Sequence, residues 1–169
     1  MEQYYKKKIY KIPGFIFLIV SIYLTIIFRG NTNFELYIFL GTILICISTD
    51  IGGYVFGKIF KGPKISKWIS PNKTYAGSVG GYFLSFVLVY FFEQNSFLIG
   101  KNLPNYFTKD VFFWVFLIST ISQIGDFIVS FFKRKSKVKN TGSILPGHGG
   151  LLDRTDGMLF AIPFAYILN

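Results

Sequence analysis

The 169-residue sequence has little charge, one cysteine and one histidine. Only 15% of its residues are charged, whereas an ordinary soluble domain carries charge on about a quarter of its residues. So little charge cannot cover a water-facing surface, which excludes a soluble globular protein. The single cysteine, Cys46, lies inside an apolar run and has no second cysteine to pair with in the chain, so we interpret it as a small buried apolar side chain.

In place of charge, the chain has long apolar runs separated by polar segments rich in Gly, Pro, Asn and Lys. Runs of about 18 or more apolar residues are typical of bilayer spans. We therefore predict an all-α, polytopic membrane bundle that forms a single domain over residues 1–169, since no internal repeat is present. The predicted membrane segments are residues 12–28, 34–57, 75–92, 111–132 and 149–169, the last of them apolar only after Asp156.

The basic residues cluster at the ends of these runs. A net charge of +10 would fit nucleic-acid binding, but this distribution is typical of residues that orient membrane helices and attract anionic lipid headgroups. A cytoplasmic N-terminus places all but three of the 18 basic residues on the cytoplasmic side, so we expect that orientation and no nucleic-acid partner. No small-residue cleavage site follows Phe28, so the first segment is interpreted as a retained span. The three exceptions are Arg29, Lys101 and Lys109.

Small residues form stripes on two of the predicted spans. Helices in lipid associate where small residues allow close approach of their backbones. We therefore expect these stripes to hold helices together, and they also favour a homodimer as a further possibility. The stripe residues are Gly53 and Gly57 on the second segment, and Gly77, Gly80, Gly81 and Ser85 on the third.

Two aspartates lie inside apolar runs, at matching depths. Asp50 precedes Lys58 by eight residues and Asp126 precedes Lys133 by seven, which places both roughly 10–12 Å from the first basic residue of their helices. An isolated carboxylate there costs about 2.5–3.5 kcal/mol, so each aspartate needs a partner or a wet cavity. A cation site and a structural pairing with a lysine or backbone amide are both open for Asp50, whereas a cation site is the preferred interpretation of Asp126.

The fourth segment carries a polar stripe around Asp126. Its members recur at intervals of three, four and seven residues, so they share one helical face. A polar stripe on an apolar helix must face protein or water, which supports a functional role for that face. The stripe comprises Ser122, Gly125, Asp126, Ser130 and Lys133.

The polar segment that follows combines three kinds of phosphate chemistry. Basic side chains supply charge and donors for phosphate oxygens. The turn from Pro146 to Gly150 can expose successive backbone N–H groups to an anion, and a helix beginning near Gly149 would direct its positive end there. Asp153 and Asp156 would then share one helix face, with hard oxygen ligands that suit Mg²⁺. This combination is typical of nucleoside triphosphate chemistry.

The sequence contains Ser130-x-x-Lys133-Arg134, then Lys139, then Pro-Gly-His-Gly-Gly-x-x-Asp-Arg-x-Asp over residues 146–156. This signature resembles that of the CDP-diacylglycerol synthase (phosphatidate cytidylyltransferase) family. The segments Ser70 to Gly77 and, more loosely, Asp50 to Gly57 are similar to two further family elements. The family pattern has Asp at Asn140 and Glu at Ala76.

The resemblance implies transfer of CMP from CTP to phosphatidate, with pyrophosphate as the second product and Mg²⁺ as cofactor, together with a second cation in some arrangements. It implies a bacterial inner-membrane protein with its active site facing the cytoplasm, and membrane lipids as further partners. The expected catalytic residues are Asp126, Asp153, Lys133 and His148. The expected substrate-binding residues are Ser70, Lys73, Thr74, Ser130, Arg134, Lys139, Gly149, Gly150 and Arg154. The expected metal ligands are Asp126, Asp153, Asp156 and Asp50.

Several alternatives stay open at this point. His148 could act as a general acid/base or donor, or could only shape the Gly-rich turn. The basic loop from Lys58 to Lys73 could hold anionic lipid or a specific phosphate. On the same scaffold, a CTP-dependent polyprenol or phytol kinase would release CDP. A small transporter could use the intramembrane aspartates, and Asn140 and Ala76 admit a non-catalytic homologue.

Overall fold

The computed structural model describes residues 11–94, 111–138 and 155–168. These residues form five helices and one short hairpin. The elements are α1 (Lys11–Arg29), α2 (Asn33–Phe60), β1 (Lys64–Ser66), β2 (Ser70–Thr74), α3 (Tyr75–Gln94), α4 (Val111–Lys135) and α5 (Met158–Leu168).

The helices confirm the predicted all-α membrane bundle. Helices α1 to α4 are long and apolar enough to cross a bilayer. Large side chains such as Phe15, Phe83 and Phe112 are exposed on the outer surface, where lipid takes the place of water. Helix α5 has only 11 residues, which is about 16 Å of rise, so it is too short to span a bilayer by itself. Of the predicted fifth segment, residues 149–154 and 169 lie outside the described residues.

Glycines bring α2 and α3 into close contact, as the small-residue stripes predict. A Cβ atom on Gly77 would lie 2.5 Å from the backbone oxygen of Gly53, and one on Gly81 would lie 2.9 Å from that of Thr49. A Cβ on Gly80 would lie 2.2 Å from the Cβ of Phe56. Side chains at these positions would separate the two helices, so the stripes serve packing.

Hydroxyl groups join α2, α3 and α4 at the centre of the bundle. The Oγ1 atom of Thr49 lies 2.8 Å from the Oγ atoms of both Ser85 and Ser119. All three side chains are buried, in contact with an apolar core that includes Ile45 and Val89. Because no water reaches these hydroxyls, their mutual hydrogen bonds fix how the three helices meet.

The β1–β2 hairpin is a feature that the sequence did not predict. Helix α2 ends where the backbone N–H of Lys61 donates to the carbonyl of Gly57, and Gly62 follows with a φ of 97°. The two strands then pair antiparallel, with Lys64 opposite Thr74. The Oγ1 atom of Thr74 accepts a hydrogen bond of 3.1 Å from the N–H of Gly77, so the second strand leads directly into α3.

The polar stripe of α4 faces α5, which confirms that this face contacts protein. A Cβ on Gly157 would lie 2.4 Å from the Oγ of the buried Ser122. A Cβ on Gly125 would lie 2.7 Å from the ring of Phe160. Small residues on both sides therefore let the turn before α5 come close to α4, and this contact positions Asp156.

Candidate active site

Three carboxylates from distant parts of the sequence come together near one end of the bundle. Asp50 belongs to α2, Asp126 to α4 and Asp156 to the turn before α5. The carboxylate of Asp50 lies within electrostatic range of both other aspartates and of Lys73. Asp50 and Asp126, which the sequence predicts to lie at matching depths, are therefore close enough to influence each other electrostatically.

Lys73 and Asp126 form an ion pair between the hairpin and α4. Their side chains are 28% and 29% exposed, so the pair remains open to a ligand. The Oγ of Ser130 lies one helical turn further along α4 and donates to the Oδ1 atom of Asp126 at 3.4 Å. The Lys73 ammonium also lies 5.6 Å from the centre of the Phe127 ring, which gives it an aromatic face on one side.

Lys133 and Asp156 form a second ion pair, between α4 and the turn before α5. The distance from Nζ to Oδ2 is 2.5 Å, and the two side chains are only 11% and 5% exposed. Asp126 and Lys133 are seven residues apart on α4, so the polar face of one helix contributes a carboxylate to the first pair and an ammonium to the second.

Arg134 fixes the hairpin to the end of α4. Its Nε–H donates to the carbonyl of Ile69 at 3.2 Å, and Ile69 lies just before β2. Trp68 in the same turn packs against Phe131, with ring centroids 5.8 Å apart. These contacts determine the position of Lys73 on β2. The residues around Arg134 in the sequence give no sign of a contact with the hairpin.

The remaining sequence-predicted residues fall into two groups. Ser70 is half-buried on β2. The buried Thr74 caps α3, which gives it a structural role, and its direct contact with substrate stays a prediction. Asp156 lies in a turn, and whether Asp153 shares a helix face with it stays a prediction. The predicted residues that lie outside the described part of the chain are Lys139, His148, Gly149, Gly150, Asp153 and Arg154.

The carboxylates do not by themselves complete a metal site. Within residues 11–94, 111–138 and 155–168, no three His, Cys, Asp or Glu side chains are close enough to hold one metal ion together. Asp126 and Asp156 each hold a lysine ammonium group at ion-pair distance, so carboxylates and basic groups occur together in this region. Such an arrangement is suited to a polyphosphate with its accompanying cation.

Comparison with known proteins identifies a matching family and several relatives. A model of the cytidylyltransferase family matches residues 2–169. The chain is 42% identical over 132 residues to a phosphatidate cytidylyltransferase of Bacillus subtilis (strain 168), covering 78% of this chain and 46% of that protein. A relative of the same name from Staphylococcus aureus (strain COL) is 40% identical over 132 residues, covering 74% and 46%. A third from Staphylococcus haemolyticus (strain JCSC1435) is 38% identical over 150 residues, covering 83% and 52%. The chain thus spans about half the length of the curated relatives it matches.

Proposed function

The chain belongs to the cytidylyltransferase family, and we propose that it transfers the CMP moiety of CTP to phosphatidate, giving CDP-diacylglycerol and pyrophosphate. The relatives named phosphatidate cytidylyltransferase support this substrate pair. The structural observation that carries the proposal is the accessible Lys73–Asp126 pair beside the buried Lys133–Asp156 pair, at the end of a membrane bundle. A lipid can reach that place from the bilayer, and a nucleotide can reach it from water.

In the proposed reaction, a phosphate oxygen of phosphatidate attacks the α-phosphorus of CTP. A bond forms between that oxygen and the α-phosphorus, and the bond from the α-phosphorus to the oxygen bridging the α- and β-phosphates breaks, so pyrophosphate leaves with the electron pair. A phosphomonoester has a second pKa near 6, so the attacking oxygen is ionised at neutral pH and no general base is required. The protein contributes mainly position and charge in such transfers.

The basic residues have distinct roles in this proposal. Lys73 lies next to Asp126 with its side chain partly exposed, which suits it to bind a substrate phosphate. Lys133 is buried against Asp156 and stays paired with it. Its positive charge stabilises negative charge that develops on the phosphates during the reaction. Arg134 holds the hairpin through Ile69, and its remaining N–H groups can donate to phosphate.

Magnesium is the cofactor that this donor set fits. The hard oxygens of Asp126 and Asp156 lie beside ammonium groups, and Mg²⁺ in proteins usually takes one or two carboxylates together with substrate phosphates. Asp126 and Asp156 would hold the ion together with substrate phosphates, with Asp153 as a further proposed ligand. Asp50 would serve a proposed second cation in an extension of the same site. When bound, Mg²⁺ neutralises charge on the pyrophosphate leaving group.

We also propose the orientation and assembly that the sequence predicts. The excess of basic residues on one side supports an active site facing the cytoplasm of a bacterial inner membrane. The small-residue faces of α2 and α3 pack against each other within the chain, so the stripes are explained without a dimer. A homodimer stays a proposal that rests on the family resemblance.

The deciding experiment follows each phosphorus atom of CTP. Purified protein in mixed micelles is supplied with phosphatidate, Mg²⁺ and CTP labelled at the α- or the γ-phosphate. We expect the α-label in lipid and the γ-label in pyrophosphate, both abolished by EDTA. A γ-label in lipid with release of CDP would instead establish a lipid kinase, and the absence of any lipid product would refute the proposed reaction.

Asp126→Asn supplies the variant for this assay. It keeps the size of the side chain but removes the charge that pairs with Lys73, so we expect turnover to fall about 10²–10³-fold, as for other groups that stabilise charge in a transition state. Glu93→Gln is the matched control, because it removes one negative charge from the far end of α3. Undiminished turnover in Asp126→Asn would exclude this carboxylate from the site.

A further inference from the structure

A groove between α3 and α4 leads away from the Lys73–Asp126 pair. It contains a partly open cavity of about 340 Å³, and Ile65 of β1 lines one side. Its wall is largely apolar, and Ile124 and Ile128 are 48% and 36% exposed, so the groove opens on the outer surface of the bundle. We call this feature the α3–α4 groove; besides Lys73 its lining includes Ile65, Ser78, Tyr82, Ile124, Phe127 and Ile128.

The two ends of the α3–α4 groove differ in chemistry. At one end lies the ammonium group of Lys73, beside the ring of Phe127. At the other end, the Tyr82 hydroxyl and Thr120 Oγ1 are 3.0 Å apart and join α3 to α4. Phe127 and Thr120 are seven residues apart on α4, so the groove extends about 10 Å along the helix, from the charged end towards the middle of the span.

This combination fits one class of ligand, an anionic lipid. An apolar wall that opens towards the bilayer suits an acyl chain, and a cation at the headgroup end suits its phosphate. The polar groups of a nucleotide would find few hydrogen-bond partners on this wall. The same Lys73 is paired with Asp126, so a lipid phosphate at that end would lie beside the carboxylate that the proposed reaction uses.

We propose that the α3–α4 groove is the phosphatidate subsite, with the headgroup end of one acyl chain against Ile124 and Phe127 and the phosphate at Lys73. This inference rests on the proposed function and specifies where its lipid substrate binds. The hydrogen-bonded side chains of Tyr82 and Thr120 line the far end of the groove, and we place the rest of the acyl chain in the bilayer. Affinity therefore depends on the part of the lipid nearest the headgroup.

Filling the groove tests this placement. Ile124→Trp adds bulk at the opening between α3 and α4, and we expect the KM for phosphatidate to rise about 10-fold, the equivalent of losing ~1.4 kcal/mol of binding free energy. The KM for CTP should stay within about twofold, since the nucleotide does not use this wall. Ile47→Trp on α2 is the matched control, because Ile47 is 41% exposed and does not line the groove.

A labelling experiment on the unaltered protein covers the case in which Ile124→Trp fails to fold. Phosphatidate with a photoreactive group near the carboxyl end of one acyl chain is crosslinked in micelles, and the labelled peptides are identified by mass spectrometry. We expect labels on the groove faces of α3 and α4 that excess unlabelled phosphatidate removes. Labels confined to other helices, as a groove covered by a second copy of the chain would give, would overturn the inference.

The two proposals fail in different ways. Groove labelling in a protein that makes no CDP-diacylglycerol would support the lipid subsite and refute the transferase reaction. Normal turnover with equal phosphatidate KM values in Ile124→Trp and Ile47→Trp would refute the subsite and leave the reaction standing.

Discussion

The two lysine–carboxylate pairs of the site have the same chemical groups and different surroundings. Lys73 and Asp126 are each more than a quarter exposed, and they connect a short hairpin to α4. Lys133 and Asp156 are almost fully buried, and they connect α4 to the turn before α5. An accessible pair can exchange its partner for a ligand, whereas a buried pair that is broken leaves a charge in a medium of low dielectric constant. We therefore assign exchange with a substrate phosphate to the first pair, whereas the second pair fixes α5 and thereby holds the proposed ligand Asp156 and the charge of Lys133 in place.

The largest expected effect of this difference is on stability. Lys133→Met removes the ammonium group from the buried Asp156, and losing one partner of a buried pair typically costs about 3–5 kcal/mol. Lys73→Met removes the same group from the more accessible pair, where the expected cost is at most about 1 kcal/mol. Thermal unfolding of both variants in the same detergent measures the comparison.

A double variant is the control for this prediction. Lys133→Met combined with Asp156→Asn removes both charges, so it should recover part of the stability that Lys133→Met loses. Equal losses in Lys133→Met and Lys73→Met, or no recovery in the double variant, would show that burial does not distinguish the two pairs.

A smaller effect is expected on cation binding at the accessible pair. Lys73→Met removes a positive charge from beside Asp126, so Mn²⁺ without nucleotide should bind about 10-fold more tightly, a difference of ~1.4 kcal/mol. Electron paramagnetic resonance of free Mn²⁺ measures the dissociation constant without any turnover. Magnesium binding would then depend on a phosphate that draws Lys73 away from Asp126.

Two variants control for charge in that experiment. Lys73→Arg keeps the positive charge and should bind Mn²⁺ as weakly as the unaltered protein. Lys64→Met removes a charge from the neighbouring strand, where Lys64 is exposed and pairs through its backbone with Thr74. If Lys64→Met tightens Mn²⁺ binding as much as Lys73→Met, the effect comes from the overall charge of the hairpin, and the assignment of Lys73 to the cation site is wrong.

The sequence predicts the helices and the depth of the carboxylates because both follow from regular geometry. Apolar runs of bilayer length define α1 to α4, and a constant rise per residue places Asp50 and Asp126 level with each other. The α4 stripe is predictable for the same reason, since a period of 3.6 residues determines which side chains share a face.

The partners of these carboxylates follow from tertiary contacts that no local pattern encodes. The segment containing Lys73 is polar, contains Pro71 and lacks alternation, so nothing in it predicts a hairpin or its pairing with α4. Tyr82 lies in an apolar run with no local sign of a polar partner, yet its hydroxyl contacts Thr120 Oγ1 at the far end of the α3–α4 groove.

The smallest predicted effect concerns Ser130, which gives the accessible pair a polar contact through Asp126. The hydrogen bond from Ser130 Oγ to Asp126 Oδ1 is long, at 3.4 Å. Ser130→Ala should therefore raise the activation free energy by less than about 1 kcal/mol, so that kcat falls only about two- to fivefold. Ser130→Thr keeps a hydroxyl and should recover most of the rate. Ser122→Ala is the control on the same face of α4, because the buried Ser122 packs against Gly157 and should affect stability rather than turnover. A loss in Ser130→Ala as large as that in Asp126→Asn would mean that the Ser130 hydroxyl contacts substrate directly, and the role of orienting Asp126 would then be wrong.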